Sequence, residues 1–396
     1  FRALGGGPRR APSMTLPDSL RQDIQQALGR RDGAQAVRLI AEALALSPDD
    51  IDLRLQKAMA LRLGGDLKGA LVALDAALDL EPYHFVALLS KAAVVERLSG
   101  PRKAWQIYRN ALKILPDPLP PALKPAVDRA REVVEETTDA LAVFLADRTA
   151  PIRARLDPSV AARFDEGLQI HAGRARNYPS EGILLTYPRL PAIPFFDREL
   201  FPWFPELEAA TDMIRGELEG VLATMDADFA PYINMPPGTP VNQWAELNRS
   251  PRWSSLFLWK DGERQDEPCR RCPGTAALLD RLPLARQPGF APTVIFSALQ
   301  ARTRIPPHTG STNARLLVHL PLILPGPARF RVGNETRSWK MGEAWAFDDS
   351  IDHEAWNDAD DLRVIMILDI WNPLLTEAER EGVTALFNAR NDFFAA

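Results

Sequence analysis

The sequence predicts a two-domain α+β protein, with an all-α domain of helical repeats followed by an antiparallel β domain of the jelly-roll or barrel type. Three observations carry this prediction. Proline and alanine recur every 34 residues in the first part of the chain, six short apolar or alternating segments follow position 250, and eight of the nine tryptophans lie after position 200. Leucine and alanine dominate the first 150 residues, so this change in composition marks a domain boundary.

The totals for the whole chain exclude several classes of protein. At 396 residues the chain is long enough for two domains with full cores. Its net charge of −5 provides no basic field for nucleic acid, and no apolar run approaches the roughly 20 residues that span a bilayer. Residues 1–13 lack the apolar core of a secretory signal, and we expect Met14 to be the natural first residue. Two cysteines fit a reducing compartment, so we expect a cytoplasmic protein.

The 34-residue period is carried by residues of defined size. Small residues recur in two registers and proline in a third, as Ala36, Ala70 and Ala104, as Ala43, Ala77 and Ala111, and as Pro48, Pro82 and Pro116. Small side chains let helix backbones approach closely, and proline cannot continue a helix. The pattern resembles the tetratricopeptide repeat. It implies an all-α solenoid over residues 14–148, with a capping helical segment at Pro121–Asp147.

The function of the repeats is left open by the sequence. Such repeats often present a concave groove to peptides, so one expectation is that the groove recruits a peptide or protein substrate. The other expectation is a solenoid that only supports the second domain or forms a dimer contact.

The remainder of the chain is predicted to be a linker and a second domain. Residues 149–177 carry charge and few aromatic side chains, and are predicted to be a linker with one helix at 158–173. Residues 178–396 form the second domain, which begins with extended chain at 178–205 and an amphipathic helix at 206–224. The predicted strands are 253–259, 293–299, 314–322, 328–332, 343–347 and 364–371. Short strands of this number favour a jelly roll or barrel.

Two of the five histidines, His308 and His353, lie beside predicted strands, and Arg363 lies inside one. A basic residue inside an apolar strand needs an anionic partner if it faces inward. Two imidazoles and an arginine on neighbouring strands suit a metal that holds a co-substrate bearing a carboxylate.

The residues around these positions resemble the aspartyl/asparaginyl β-hydroxylase family. The segments that carry the resemblance are Pro307–Leu320, Gly333–Trp339, Phe347–Glu354 and Leu362–Trp371. Members of the family are Fe(II)- and 2-oxoglutarate-dependent oxygenases. The resemblance therefore implies Fe(II), 2-oxoglutarate and O2 as cofactors, and a double-stranded β-helix (jelly-roll, cupin-like) fold for the second domain.

The resemblance makes His308 and His353 the catalytic iron ligands. Arg363 would pair with the far carboxylate of 2-oxoglutarate, since a planar guanidinium matches a carboxylate with two hydrogen bonds. Most 2-oxoglutarate oxygenases place an acidic residue two positions after the first histidine, and here that residue is Gly310. The same absence is a peculiarity of the eukaryotic β-hydroxylases. Our hypothesis is that a water fills the vacancy and is held by Asp349.

The resemblance also implies four further contacts. Ser297 would add a hydroxyl to the far carboxylate of 2-oxoglutarate, Trp253 would pack against this co-substrate, and His319 would contact its metal-proximal end. Arg315 would receive the carboxylate of the substrate. At Leu317 the sequence departs from the best-known animal members, which carry a second arginine there, so Asp, Asn or a different small acid stays open as the substrate group.

Cys269 and Cys272 form a single CxxC motif. Zinc would need two more ligands, and none is spaced for it. We interpret the motif as a reversible disulfide or two idle thiols.

The predicted function is hydroxylation of the β-carbon of Asp- or Asn-type side chains in a peptide or protein. One alternative is a hydroxylase of a small molecule or a lipid acyl chain. A second alternative is a non-catalytic scaffold of repeats with a decayed metal site.

Overall fold

The computed structural model describes residues 16–223 and 229–395. The chain divides into two compact units between Ala175 and Arg176, which we call unit 1 and unit 2. Two positions named in the predictions, Met14 and Thr224, lie outside the described residues.

Unit 1 is a solenoid of paired helices, as the 34-residue period predicts. The helices are α1 (Asp18–Gly29), α2 (Gly33–Leu46), α3 (Ile51–Leu63), α4 (Leu67–Leu80), α5 (Phe85–Ser99), α6 (Pro101–Lys113), α7 (Lys124–Arg153) and α8 (Pro158–Ala172). The six repeated alanines all lie in α2, α4 or α6 and are fully buried. The repeated prolines follow the ends of these three helices. The two alanine registers and the proline register predicted from the sequence are all confirmed.

The helix N-termini repeat with the same period. Asp32 and Asp66 cap α2 and α4 and accept hydrogen bonds from the amides of Gln35 and Gly69, at 2.9 and 2.8 Å. His84 caps α5 through Nδ1, which accepts from the amide of Ala87 at 3.2 Å. Caps of this kind satisfy amides that have no partner inside the helix, and each contributes about 1 kcal/mol to stability.

Helix α7 covers the last repeat. Its inward side places Val127, Ala130 and Val133 in a buried cluster with Tyr108 of α6. This is the capping segment that the sequence places at 121–147, although the helix runs on to Arg153.

Most of the predicted linker belongs to unit 1. Its single predicted helix is present as α8, but α8 packs against α7, and Arg153 forms an ion pair with Asp165 across the two helices at 2.5 Å. Residues 149–175 are therefore part of the compact unit, whereas the sequence predicts a linker over 149–177.

Unit 2 contains antiparallel strands and short helices. The strands are β1 (Ala230–Pro231), β2 (Trp253–Lys260), β3 (Glu263–Arg264), β4 (Val294–Leu299), β5 (Thr303–His308), β6 (Arg315–Ile323), β7 (Ala328–Val332), β8 (Glu335–Ser338), β9 (Trp345–Phe347), β10 (His353–Asn357) and β11 (Arg363–Trp371). The helices are α9 (Phe204–Ala209), α10 (Thr211–Leu222), α11 (Asp266–Arg271), α12 (Pro273–Arg281) and α13 (Glu377–Ala395). All six predicted strands are present, and the helix predicted at 206–224 is divided into α9 and α10 by Ala210.

The strands form two antiparallel sheets. The large sheet has the order β1-β2-β4-β11-β6-β9, with β3 paired to β2, and the small sheet has the order β5-β10-β7-β8. On β11, Val364, Met366 and Leu368 pack into an apolar core that also contains side chains of α9, α10 and α12. The opposite face of β11 is turned towards the small sheet, where Ile365 packs with Phe330 of β7. Because of this alternation, one face of the large sheet packs in the apolar core, and the other face is turned towards the small sheet. The double-stranded β-helix topology stays an expectation from the resemblance.

The two cysteines of the CxxC motif are free and buried. The Sγ of Cys269 lies 3.4 Å from the carbonyl oxygen of Leu258. Burial raises the pKa of the Cys272 thiol to about 12 and also raises that of Cys269. Both thiols are thus protonated at neutral pH and pack as small apolar groups.

None of the helices in residues 16–223 and 229–395 has the length and apolar character required to span a bilayer.

Candidate active site

A cavity of about 310 Å³ lies between the two sheets of unit 2. Asp349, to which the sequence assigns a water, lies in its wall. The wall also includes all seven residues that the sequence assigns to the metal, the co-substrate or the substrate: Trp253, Ser297, His308, Arg315, His319, His353 and Arg363. The large sheet contributes five of them from β2, β4, β6 and β11, and the small sheet contributes the two histidines at the end of β5 and the start of β10. Residues separated by up to 110 positions in sequence therefore share one cavity.

The two histidines are direct cross-strand partners. His308 pairs with His353 in the β5–β10 register, and their ring centroids are 4.1 Å apart. The Nδ1 of His308 lies 2.8 Å from the carbonyl oxygen of Pro306, and the Nδ1 of His353 lies 2.9 Å from that of Ile351. Because a carbonyl oxygen only accepts, Nδ1 carries the proton in each neutral ring and Nε2 carries the lone pair. Burial lowers the pKa of both imidazoles, most strongly for His353.

No acidic side chain joins the two histidines in a cluster within the described residues. In the described part of the chain, no three side chains of His, Cys, Asp or Glu are grouped closely enough to hold a metal ion. The position of an acidic ligand two residues after His308 is taken by Gly310. A Cβ on Gly310 would lie 1.7 Å from Oδ2 of Asp349, so the Asp349 carboxyl occupies the volume of the missing side chain. Burial raises the pKa of Asp349 well above its ordinary value, and Asp348 and Asp369 raise it further.

Arg363 is a buried guanidinium with no ion partner among the residues that the structure describes. Its side chain is 1% exposed and stacks over the ring of Trp339 at 4.7 Å. Its Nε and Nη1 are buried with no hydrogen-bond partner among the described residues. Burial lowers its pKa to about 9. A buried charge of this kind is strongly unfavourable unless an anion pairs with it.

Further polar groups surround Arg363. On the neighbouring strand, the Ser297 hydroxyl accepts a hydrogen bond from Nε1 of Trp253 at 3.1 Å, so its own proton is available to a ligand. His319 packs against Phe330 with the ring centroids 4.9 Å apart, and its Nδ1 has no partner in the described part of the chain. Burial lowers the pKa of His319 well below its ordinary value, and Arg363 lowers it further, so the ring is neutral. Ser297, His319 and Arg363 thus line one cavity and present polar atoms without a full set of partners in the described residues.

The predicted substrate residue, Arg315, already has a carboxylate partner. Its Nη1 donates to Oδ2 of Asp369 at 3.2 Å and to the carbonyl oxygen of Phe290 at 3.0 Å. Sequence reasoning assigned no role to Asp369. This pairing is invisible in the sequence, because the two residues are 54 positions apart and meet only through the β6–β11 register.

Aromatic residues that sequence reasoning did not single out complete the wall. The ring of Trp244 lies 4.9 Å from that of His308, and Tyr232 stacks on Trp253 at 4.3 Å. Trp339 lies beneath the Arg363 guanidinium. Trp339 ends one of the segments that carry the family resemblance, which was the one signal available for it.

Comparisons with known proteins match the part of the chain that contains this cavity. The family model described as aspartyl/asparaginyl beta-hydroxylase matches residues 208–373. The human aspartyl/asparaginyl beta-hydroxylase is 32% identical over 186 residues, which cover 46% of this chain and 24% of that protein. The ornithine lipid ester-linked acyl 2-hydroxylase of Rhizobium tropici is 33% identical over 202 residues, which cover 50% of this chain and 68% of that protein. Thus the match spans only about a quarter of the human relative.

Among solved structures, the Sgt2 TPR domain from Aspergillus fumigatus is 20% identical and matches 33% of this chain and 86% of its own length, with a TM-score of 0.29. The assignment of unit 1 as helical repeats rests on the 34-residue period and on the packing of its helices. The residues of the cavity, the family model and the relative that is covered over two thirds of its length lead to one conclusion: the chain belongs to the aspartyl/asparaginyl β-hydroxylase family.

Proposed function

We propose that this member of a hydroxylase family is Fe(II)- and 2-oxoglutarate-dependent, and that it hydroxylates the β-carbon of an Asp- or Asn-type side chain in a peptide or protein. The observation that carries the proposal is Arg363. It is fully buried, has two N–H groups without a partner in the described residues, and lines the same cavity as the two paired imidazoles. A small dianionic co-substrate that reaches from the imidazoles to the guanidinium relieves this uncompensated charge.

The residues present fit both groups. His308 and His353 would hold the iron through Nε2, since their Nδ1–H groups are engaged by backbone carbonyls and neutral imidazole is a ligand that suits iron. Arg363 and Ser297 would bind the far carboxylate of 2-oxoglutarate. When bound, iron would let O2 serve as the oxidant for C–H hydroxylation, with 2-oxoglutarate as the co-substrate that is oxidised alongside the substrate.

The residues of the chain would bind and orient the co-substrate and exclude bulk water from the cavity. Trp253 closes the cavity beside Ser297 and fixes the hydroxyl through its indole N–H. Asp349, whose carboxyl takes up the volume that a side chain at Gly310 would occupy, would hold a water that completes the site of the metal. We also propose that the repeats of unit 1 recruit the peptide, which a lower KM for a whole protein substrate than for its excised peptide would support.

The test is an anaerobic titration of Fe(II) and 2-oxoglutarate into the full chain, with His308→Ala and His353→Ala as comparisons. We expect 2-oxoglutarate to bind the wild type in a metal-dependent way, and each variant to lose the metal dependence. If the wild type shows no metal-dependent binding of the co-substrate, the proposal fails and the non-catalytic scaffold is favoured.

The second candidate function is hydroxylation of a lipid acyl chain. The middle of the cavity is apolar, with Ile295, Leu317, Ile365 and Ile367 in its wall, and Ile183, which is 73% exposed, also lines it. The Rhizobium tropici relative acts on an ester-linked acyl group according to its name. Succinate formation stimulated by acyl esters and not by peptides would favour this second function over the first.

A further inference from the structure

The cavity has two polar ends. The residues of β11 that face it are Arg363, Ile365, Ile367 and Asp369. Six positions of strand separate the first from the last, or about 20 Å of β-strand at about 3.3 Å per residue. Asp369 lies opposite Leu317 in the register with β6, and Arg315 follows two positions away on the same face. The proposed co-substrate anchor is therefore at one end, and the Arg315–Asp369 pair is at the other.

The pair presents one donor edge and one acceptor. Arg315 and Asp369 are 8% and 7% exposed. The Nη1 of Arg315 donates to both of its partners, Phe290 and Asp369, while its buried Nε has no partner among residues 16–223 and 229–395. On Asp369, Oδ2 accepts from Arg315 and from the amide of Thr293 at 2.9 Å. The other oxygen, Oδ1, accepts no hydrogen bond in the described part of the chain, so it is available to an N–H group.

The charges at this end do not favour a carboxylate. Asp369 already compensates the charge of Arg315, and a second carboxyl, Asp349, lines the same cavity. Leu317, which lines the cavity two positions from Arg315 on β6, adds no charge. An aspartate substrate would bring a further carboxylate to a guanidinium that Asp369 already compensates, and carboxyl groups that share one site repel each other when ionised. A carboxamide is neutral, and it has a carbonyl oxygen for the donor edge of Arg315 and an NH2 group for Oδ1 of Asp369.

We propose that Asp369, by holding Arg315 and offering its free oxygen, makes this end of the cavity select a carboxamide over a carboxylate next to the reacting carbon. This inference rests on the proposed function and narrows its substrate to the asparagine type. Asp369 is then a residue that determines specificity, and the missing second arginine at Leu317 is part of the same arrangement.

The experiment uses three short peptides that differ only at a central residue, which is asparagine, aspartate or 2,4-diaminobutyrate. Their dissociation constants are measured by ligand-observed NMR with the metal-free full chain, and then kcat/KM is measured with Fe(II) and 2-oxoglutarate. We expect the asparagine peptide to bind about 10-fold more tightly than either charged peptide. Only a carboxamide can both accept a hydrogen bond from Arg315 and donate one to Asp369. Preference for a charged peptide, equal binding of all three, or no binding of any peptide would overturn the proposal.

The metal-free measurement keeps the two proposals separate. Loss of metal-dependent 2-oxoglutarate binding would defeat the proposed function, whereas the order of peptide affinities addresses selectivity alone. In Asp369→Asn the guanidinium is no longer compensated, so we expect the preference for asparagine over aspartate to fall by about 10-fold or to reverse. An unchanged ratio in a folded Asp369→Asn protein would contradict the assignment.

Two further variants serve as a control and as a substitute for Asp369→Asn. Asp358→Asn makes the same change in an exposed pair with Arg329, at 2.8 Å, and should leave the affinity order unchanged. Arg315→Met removes the donor edge, and it is used if Asp369→Asn does not fold, as judged by thermal melting. It should lower affinity for the asparagine peptide by about 10-fold, and full retention of that affinity would count against the proposal.

Discussion

The carboxyl group of Asp349 fills the volume that a side chain at Gly310 would occupy. A Cβ placed on Gly310 would lie 1.7 Å from Oδ2 and 2.3 Å from Cγ of Asp349. The amide of Gly310 also donates to the backbone oxygen of Asp349 at 2.7 Å, which fixes the two backbones together. The absence of a side chain at 310 and the presence of a carboxyl at 349 are therefore one structural feature.

Gly310→Ala should destabilise the protein, because the new methyl group requires the Asp349 carboxyl to leave the volume that it occupies. We expect a loss of about 1–3 kcal/mol in the free energy of unfolding, as for other overpacked sites. Asp349→Ala removes the obstacle, so Gly310→Ala should cost much less in that background. Denaturant unfolding of the two single variants and the double variant measures this coupling. Strictly additive changes would show that the two positions are independent.

Arg363→Met should make the apo protein more stable and unable to bind the co-substrate. Burial lowers the pKa of Arg363 to about 9, which means that the folded protein disfavours its charged form. An apolar side chain of similar length should therefore raise the free energy of unfolding by about 1–4 kcal/mol. Arg329→Met, at an exposed arginine, serves as the control and should change neither property. Destabilisation by Arg363→Met would mean that its charge has a partner in the protein.

Ser297→Ala should weaken 2-oxoglutarate binding by about 10-fold or more, since hydrogen bonds to charged groups contribute about 1.5–3 kcal/mol. Ser255 provides a matched control, because it is the direct cross-strand partner of Ser297 and is also buried. Its hydroxyl has no hydrogen-bond partner in the described residues. Ser255→Ala should leave co-substrate affinity unchanged, as measured by calorimetric titration in the presence of metal. Equal effects of the two variants would point to a general change in the sheet.

Much of the fold and of the candidate site follows from patterns within short stretches of sequence. The period of 34 residues predicted the helix pairs of unit 1, because small residues recur where two helices cross. Alternation of apolar residues located β2, β4, β6 and β11. The family resemblance named seven residues that share one cavity in the structure. Each of these signals is local, or is repeated at a fixed interval.

The parts that were missed depend on pairing between distant segments. Strands β5 and β10, which carry the two histidines, were not predicted. β5 contains Pro306 and Pro307, and proline within a run argues against a central strand. β5 is an edge strand of the small sheet, where proline is tolerated. The partner of Arg315 was missed because Asp369 meets it only through strand register. The extension of α7 past residue 148 was missed because its packing against α8 is a tertiary contact.

Acid should weaken unit 1 through Glu96, which joins its last helices. The Glu96 carboxylate accepts from Oη of Tyr108 at 2.7 Å and from Nη2 of Arg129 at 2.5 Å. Burial raises the pKa of Glu96, but these hydrogen bonds outweigh burial and leave the pKa below its ordinary value of 4.5. A carboxylate with a lowered pKa stabilises the fold above the unfolded pKa, and this stability is lost as the pH falls through the folded value.

Glu96→Gln should therefore reduce protection of α5, α6 and α7 from hydrogen exchange at pH 7 and remove most of the further loss of protection below pH 4.5, after correction for intrinsic exchange rates. Glu132→Gln is the matched control, because Glu132 pairs with the same Arg129 at 2.6 Å but is 56% exposed. Exposed pairs contribute little, at about 0–1 kcal/mol, so this variant should behave like the wild type. If both variants lose protection equally, Arg129 and not the half-buried Glu96 carboxylate connects these helices. If Glu96→Gln keeps the acid sensitivity of the wild type, another carboxylate is responsible for it.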